Sequence, residues 1–270
     1  MSSMHTSNLT IDKLRKMFSL EKRFDGRKLH DYRNLDVSLE ISNCAEGSAR
    51  VKLGKTEVLV GVKMSLDTPY PDSPDKGNLM VSGDLLPLAS PRFESGPPKF
   101  GAIELSRLVD RAIRESGMID FAKLVVKKEE LVWTVIIDIY PINDDGNLID
   151  ASTIGAIAAL KTAVIPNIEN EKVDYKKRTS KKLPLSKEIA PLSISFYKLG
   201  DSIILDPTRE EEEACEARIT YGLSKWEGEY MINSCQKAGK VFITQEEIEA
   251  IMKILPKKFE ELSEKLKKFI

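Results

Sequence analysis

Cysteine is scarce and odd in number: Cys44, Cys215 and Cys235 are the only three in 270 residues, and they are widely spaced. That excludes a disulfide-stapled fold and leaves three reduced, partly buried thiols as the expectation. Histidine is scarcer still, with His5 and His30 alone. No zinc-ligand spacing and no Ser-His-Asp set can be assembled from them, a Cys–His nucleophile pair is disfavoured, and no metal or cofactor is expected. Charge of one sign is lacking too: 41 Lys+Arg stand against 42 Asp+Glu, a net −1. A general basic coat for gripping nucleic acid is thereby excluded, although a local basic face is not. No run approaches the ~20 apolar residues that span a bilayer. Met1 to Leu9 is polar, with no signal-peptide core, so the expected compartment is the cytoplasm, without membrane contact. Fifteen glycines are far too few for a collagenous chain.

What is present suits a globular protein with a substantial core, since 41% of residues are hydrophobic and 31% charged. Thr10 can cap a helix over Ile11–Ser19. Strand alternation follows over Leu35–Ile41, then a hairpin of Ala49–Leu53 and Thr56–Met64 around Gly54-Lys55. Seven of the 13 prolines lie between Pro69 and Pro98, predicting extended loop interrupted by a strand at Leu79–Leu85. Ile103–Ser116 is the clearest helix, with Leu105, Leu108, Val109, Ala112 and Ile113 in one apolar stripe. Strands are predicted at Ala122–Val126 and Leu131–Tyr140, and an Ala-rich helix at Asp150–Val164. Asn167–Lys182 is Lys-rich and reads as a surface excursion. Then come strands Leu192–Lys198 and Ser202–Asp206, two more around Ala217–Leu223 and Tyr230–Gln236, and a final helix. That helix opens on the capping box Thr244-Gln245-Glu246-Glu247 and runs to the chain's end with a kink at Pro256. Strands in runs, broken by few helices, predict an α+β layered fold. Lys52–Thr56 and Lys198–Ser202 resemble each other, a hint of two related halves.

Three constellations bear on chemistry. Asn143-Asp144-Asp145-Gly146-Asn147 does not fit a calcium loop, because the first and twelfth positions would be Pro141 and Ser152; it reads as a β-to-α turn. Glu210-Glu211-Glu212-Glu213 reads as a solvated turn or the negative first turn of a helix. Arg107, Arg111 and Arg114 share the polar face of the Ile103–Ser116 helix. Either they form a solvated face paired with Glu104, Asp110 and Glu115, or they bind phosphates, with Arg92 and Lys99 adding to the surface.

Four motifs in order carry a resemblance. They are Arg23-x-Asp25-Gly26-Arg27 with Arg33; Gly47-Ser48-Ala49-Arg50-Val51-Lys52-Leu53-Gly54-Lys55-Thr56-Glu57-Val58; Glu104-Leu105-Ser106-Arg107-Leu108-Val109-Asp110-Arg111-x-x-Arg114; and Asp145-Gly146-Asn147-Leu148-Ile149-Asp150-Ala151. With these, the chain resembles the RNase PH family from about Arg23 to Ile251. The resemblance implies an α+β RNase PH fold, similar to ribosomal protein S5 domain 2, with mixed sheets, packed helices and two related halves. It divides the chain into an N-terminal helical extension (1–22), a first half (23–166), a surface excursion (167–188) and a second half with the C-terminal helix (189–270). Members are phosphorolytic 3′-to-5′ exoribonucleases or non-catalytic relatives in the same six-membered ring.

Catalytic members hold phosphate with a Gly-Thr-Arg segment where this chain has Asn147-Leu148-Ile149, and carry an aspartate where it has Arg218. An arginine cannot act as an acid near neutral pH and repels a divalent metal. The chain therefore resembles most the non-catalytic subunits of archaeal exosome rings, which Phe93-Glu94-Ser95-Gly96-Pro97-Pro98 and both terminal helices support. That resemblance implies three heterodimers with a catalytic RNase-PH-type subunit, S1- or KH-domain cap proteins, and RNA contacts from Arg107 and Arg111, with Arg114 second. Arg23, Asp25, Gly26 and Arg27 are implied to be turn and ion-pair residues. The alternatives are an active phosphorolytic exoribonuclease and a stand-alone RNA-binding module.

Overall fold

A computed structural model describes residues 6–169, 171–175, 179–186 and 189–269. His5, the start of the 1–22 extension, parts of the 167–188 excursion and the last residue of the chain lie outside them.

The first helix, α1 (Asn8–Ser19), starts earlier than expected. Its cap is Ser7, not Thr10: the Ser7 hydroxyl accepts the Thr10 amide at 3.2 Å. Both residues can cap, and Ser7 wins because Thr10 is then free to add its own hydroxyl bond to Ser7 Oγ, 2.9 Å away. Strands β1 (Leu35–Leu39), β2 (Gly47–Leu53) and β3 (Thr56–Asp67) form an antiparallel meander. β2 and β3 join through a tight turn at Gly54, whose φ of 61° is left-handed. β4 (Asn78–Gly83) follows, then α2 (Phe100–Arg114).

The strand expected at Ala122–Val126 is mostly a single 3₁₀ turn, Phe121–Leu124, leading into the short β5 (Val125–Lys127). Leu124 is the residue of this stretch that buries itself, packing over Gly77, while the Phe121 carbonyl accepts the Gly77 amide at 2.9 Å. One inward side chain is served better by a curl than by an alternating strand. β6 (Leu131–Asn143) then crosses the sheet and leads into α3 (Leu148–Thr162). The excursion holds a small hairpin, β7 (Asn167–Glu169) and β8 (Lys172–Asp174).

In the second half, β9 (Leu192–Leu199) and β10 (Ser202–Leu205) turn at Gly200, with φ 60°. The resembling pentapeptides thus close two hairpins of the same kind, with Leu53 opposite Thr56 and Leu199 opposite Ser202. The acidic run lies in a real helix, α4 (Arg209–Ala214), opened by a capping box of Thr208 and Glu211. β11 (Ala217–Trp226), β12 (Glu229–Gly239) and α5 (Gln245–Leu266, with Pro256 inside it) complete the chain.

One sheet runs β1-β2-β3-β6-β4, with β4 parallel to β6 and β5 appended; the other runs β10-β9-β11-β12 and is antiparallel throughout. Helices α2 and α3 lie between the two sheets. This explains why α3 lacks an apolar stripe: it touches β2 and β3 on one side and β9 on the other, and Ile149 to Leu160 are all buried. β9 is also buried on both faces. Ser193 and Ser195 bond to Thr153 and Asp150 of α3, whereas Lys198 reaches Glu247 of α5. Gly222 of β11 faces α2, and a Cβ there would sit 2.4 Å from the Ser234 Oγ and 3.3 Å from the Ala112 Cα, so a larger residue would force its neighbours to shift. Of the three thiols expected to be partly buried, only Cys215 is; Cys44 in a loop and Cys235 on the edge strand β12 are exposed. Among the described residues no helix is long and apolar enough to cross a membrane.

Candidate nucleic-acid interface

Helix α2 buries Ala102, Leu105, Leu108, Val109, Ala112 and Ile113 between the sheets, which turns its arginine stripe outward along the ridge between β4 and β12. The three arginines meet different surroundings there. Arg107 is exposed and has no hydrogen bond or ion pair among the described residues. Arg111 is half-buried and donates to the Gln236 side chain of β12 at 3.2 Å. Arg114 grips Asp110 one turn back through two nitrogens, at 2.6 and 3.0 Å, and donates to the Leu79 carbonyl of β4 at 2.9 Å. Asp110 holds the Arg114 guanidinium above its ordinary pKa. The stripe therefore grades from a free cation to one committed to the fold. Arg92 and Lys99 do not extend it, since Lys99 pairs with Glu94, and Arg92 turns inward to Asp144 and Glu213.

Behind the stripe lies a cavity of about 340 Å³, walled by Leu85, Phe93, Leu105, Leu148 and Ile149 and carrying Arg92, Glu104, Glu212 and Arg218. Glu104, expected beside the α2 arginines, instead accepts from Arg218 at 2.7 Å and from Gln236 at 3.1 Å. Gln236 thus links Arg111 to the Glu104–Arg218 pair. At the mouth of α3, Asn147, Leu148 and Ile149 present one amide side chain and two hydrocarbons. The Asn147 side chain is turned away, donating to Asp150 and Asp206 at 3.1 and 3.0 Å.

A buried polar network also ties the two halves together. Arg23 donates to Glu211 and to the Leu205 and Asp206 carbonyls. Arg27 bridges Asp25 and Asp206. Arg33 binds both oxygens of Asp206 and also the Asp145 and Gly146 carbonyls. The Arg23–Arg27 segment is thus the turn and ion-pair device expected of it. Gly146 (φ 85°) lies against the Pro207 carbonyl, so a Cβ there would meet backbone at 2.6 Å. The acidic run departs most from expectation, because most of it faces inward: Glu211 to Arg23, Glu212 to the cavity, Glu213 to Arg92 and Thr6. Four adjacent carboxylates resemble a solvated face in sequence, and the legible sign that they are placed was the Thr208-x-x-Glu211 capping pattern.

Comparisons with known proteins agree in kind. Residues 31–166 match the model of the 3′ exoribonuclease family, domain 1, and residues 190–254 that of domain 2. The chain is 43% identical over 244 residues to the exosome complex component Rrp42 of Methanocella arvoryzae, covering 90% of each. With the protein of that name from Pyrobaculum aerophilum it shares 41% over 266 residues, covering 97% of this chain and 94% of the other. Among solved structures it matches a chain of the Archaeoglobus fulgidus exosome with RNA bound to the active site, with TM-score 0.85, 37% identity, and 96% and 99% of the two chains covered. A chain of an archaeal exosome core matches with TM-score 0.77 at 34% identity, covering 91% and 93%.

Proposed function

The chain belongs to the RNase PH family of 3′ exoribonucleases, and from that premise we propose that it is a non-catalytic, RNA-binding subunit of an exosome ring. In this reading it alternates with a catalytic RNase-PH-type subunit, three of each, beneath S1- or KH-domain caps, and shapes the partner's active site. The relatives' names and the RNA-bound neighbour support the assembly. The observation that carries the non-catalytic role is the cavity at the mouth of α3. Phosphorolysis needs a phosphate held in line with the scissile bond and charge neutralisation as that bond breaks. Here Leu148 and Ile149 bring neither hydroxyl nor guanidinium, and Arg218 is spent on Glu104.

The purified chain should release no nucleoside diphosphate from RNA in phosphate and magnesium, and should join a catalytic relative in a heteromer that does. Phosphorolysis by the chain alone, or failure to form a heteromer detectable by mass, would sink the reading.

The stripe supplies the RNA contacts. Arg107→Ala with Arg111→Ala should weaken single-stranded RNA binding by the assembled ring about 10- to 100-fold, as loss of two charge-assisted contacts does. The slope of log K against log salt should shrink by about 1.4, at about 0.7 per phosphate contact on single strands. Unchanged binding by an intact ring would return these arginines to a solvated role. Arg114→Ala is the contrast: it breaks the Asp110 pair and the Leu79 bond, so it should lower the melting temperature.

A further inference from the structure

Three sources of positive potential converge on the cavity between α2 and α3: the amino end of the 15-residue α3, and the guanidiniums of Arg92 and Arg218. The first amides of a helix have no intrahelical partners and carry the positive end of its dipole. Asn147, the N-cap residue, makes no side-chain cap, since its amide group is committed to Asp150 and Asp206. A pocket so equipped draws an oxyanion.

The protein supplies one. The Asn147 backbone amide donates to Glu212 Oε2 at 3.2 Å, and the Tyr197 hydroxyl donates to Glu212 Oε1 at 3.0 Å, so both carboxylate oxygens are held. Burial, with the nearby Asp144, raises the Glu212 pKa above its ordinary value, and Arg92, the Tyr197 hydroxyl and Arg218 oppose that rise by favouring the charged carboxylate. Glu212 cannot swing out easily, because its chain neighbours are pinned: Glu211 by the buried Arg23, Glu213 by Arg92 and Thr6. The other charges are matched, Arg92 with Asp144 and Glu213 and Arg218 with Glu104, while the Arg218 Nε is buried without a partner among the described residues. Glu212 is therefore the charge that faces the helix end.

We infer that Glu212 is the resident anion of this pocket, a tethered carboxylate that takes the place of a free oxyanion and closes the cavity to inorganic phosphate. This goes beyond the lack of a phosphate-binding segment, because it predicts that one substitution opens the site. It rests on the cavity alone, so its failure would leave the ring assignment standing, and failure of the assignment would leave it untouched.

The test titrates the full chain with inorganic phosphate against chloride of equal ionic strength, by calorimetry and by thermal midpoint. The wild-type chain should show no saturable phosphate binding. Glu212→Ala should bind phosphate at least about tenfold more tightly than wild type, a difference of about 1.4 kcal/mol, and melt higher in phosphate than in chloride. Adding Arg218→Ala should abolish the gain. Glu212→Gln keeps the side chain's shape and an acceptor for Tyr197, and should shift in the same direction if the alanine variant does not fold. A folded Glu212 variant that gains no phosphate binding would overturn the inference. So would saturable binding by the wild-type chain that Arg218→Ala removes, a result that needs no Glu212 variant.

Discussion

Replacing Asp206 with alanine should cost roughly 3–5 kcal/mol of stability, the range for leaving buried charges without their partner. Asp206 is wholly buried. Its carboxylate accepts the Arg33 amide at 2.7 Å, Arg33 Nε and Nη2 at 2.9 and 2.7 Å, Arg27 Nη1 at 3.2 Å and the Asn147 side chain at 3.0 Å. Alanine leaves Arg33, itself 8% exposed, with one long ion pair to Asp145 at 3.4 Å and with the Asp145 and Gly146 carbonyls, which solvate but do not neutralise it. Because Arg33 and Arg27 come from the amino-terminal segment and Asp206 from the second half, the damage falls on the joint between them. Against a typical total of 5–15 kcal/mol, that is a large share. Urea unfolding should show a lower midpoint with an unchanged slope. Asp206→Asn, which keeps acceptor capacity but loses the charge, should fall between alanine and wild type. A midpoint for the alanine variant equal to wild type would show that the halves hold together without this network.

The second large effect depends on pH. Asp150, in the first turn of α3, is fully buried, and burial raises its carboxyl from 3.8 to about 7. That rise includes a smaller push from the nearby Asp206, and it stands despite the hydrogen bonds that Ser195 and Asn147 donate to the carboxylate. The folded protein therefore binds this proton more tightly than the unfolded chain. Its contribution to stability is greatest below pH 4, declines as pH rises from about 4 to about 7, and is flat beyond. At 1.36 kcal/mol per pH unit, the interval corresponds to roughly 4 kcal/mol. Asp150→Asn removes this titration. The stability of wild type minus that of the variant should thus fall by about that amount between pH 4 and 7, measured by urea unfolding at successive pH values. A difference that stays constant with pH would mean that the donors around Asp150 keep it ionised throughout.

Most elements were legible because their signals are local. The apolar stripe of α2, the glycine turns of both hairpins and the Thr244 capping box each lie within a few residues, and each folds as its pattern says. The misreadings came where two local solutions compete and packing chooses. Ser7 and Thr10 are both good caps, and the 3₁₀ turn at Phe121–Leu124 satisfies one buried leucine as a short strand would not. Arg107 was legible as a surface cation. Nothing near Arg114 in sequence pointed to the Leu79 carbonyl, which arrives from a strand 35 residues away.

By itself, then, the sequence determined the order of most elements, the α+β class and the family, because hydrophobic period, caps, turns and four ordered motifs are properties of neighbouring residues. It also determined that the mouth of α3 lacks a hydroxyl and a guanidinium. Only the tertiary structure decided which charges are free. Glu210 to Glu213 and the arginines at 23, 33, 92 and 218 look alike in sequence, as hydrated ions on a polar surface. Folding buries most of them, and a buried charge must find its counter-charge at hydrogen-bonding distance, often across more than a hundred residues. That pairing ties Arg218 to Glu104 and Arg114 to Asp110, and leaves Arg107 open to solvent. Ion pairing of this kind, in the interior and on the surface, accounts for many of the charges in a near-neutral chain, and Arg107 is one that it leaves unpaired among the described residues.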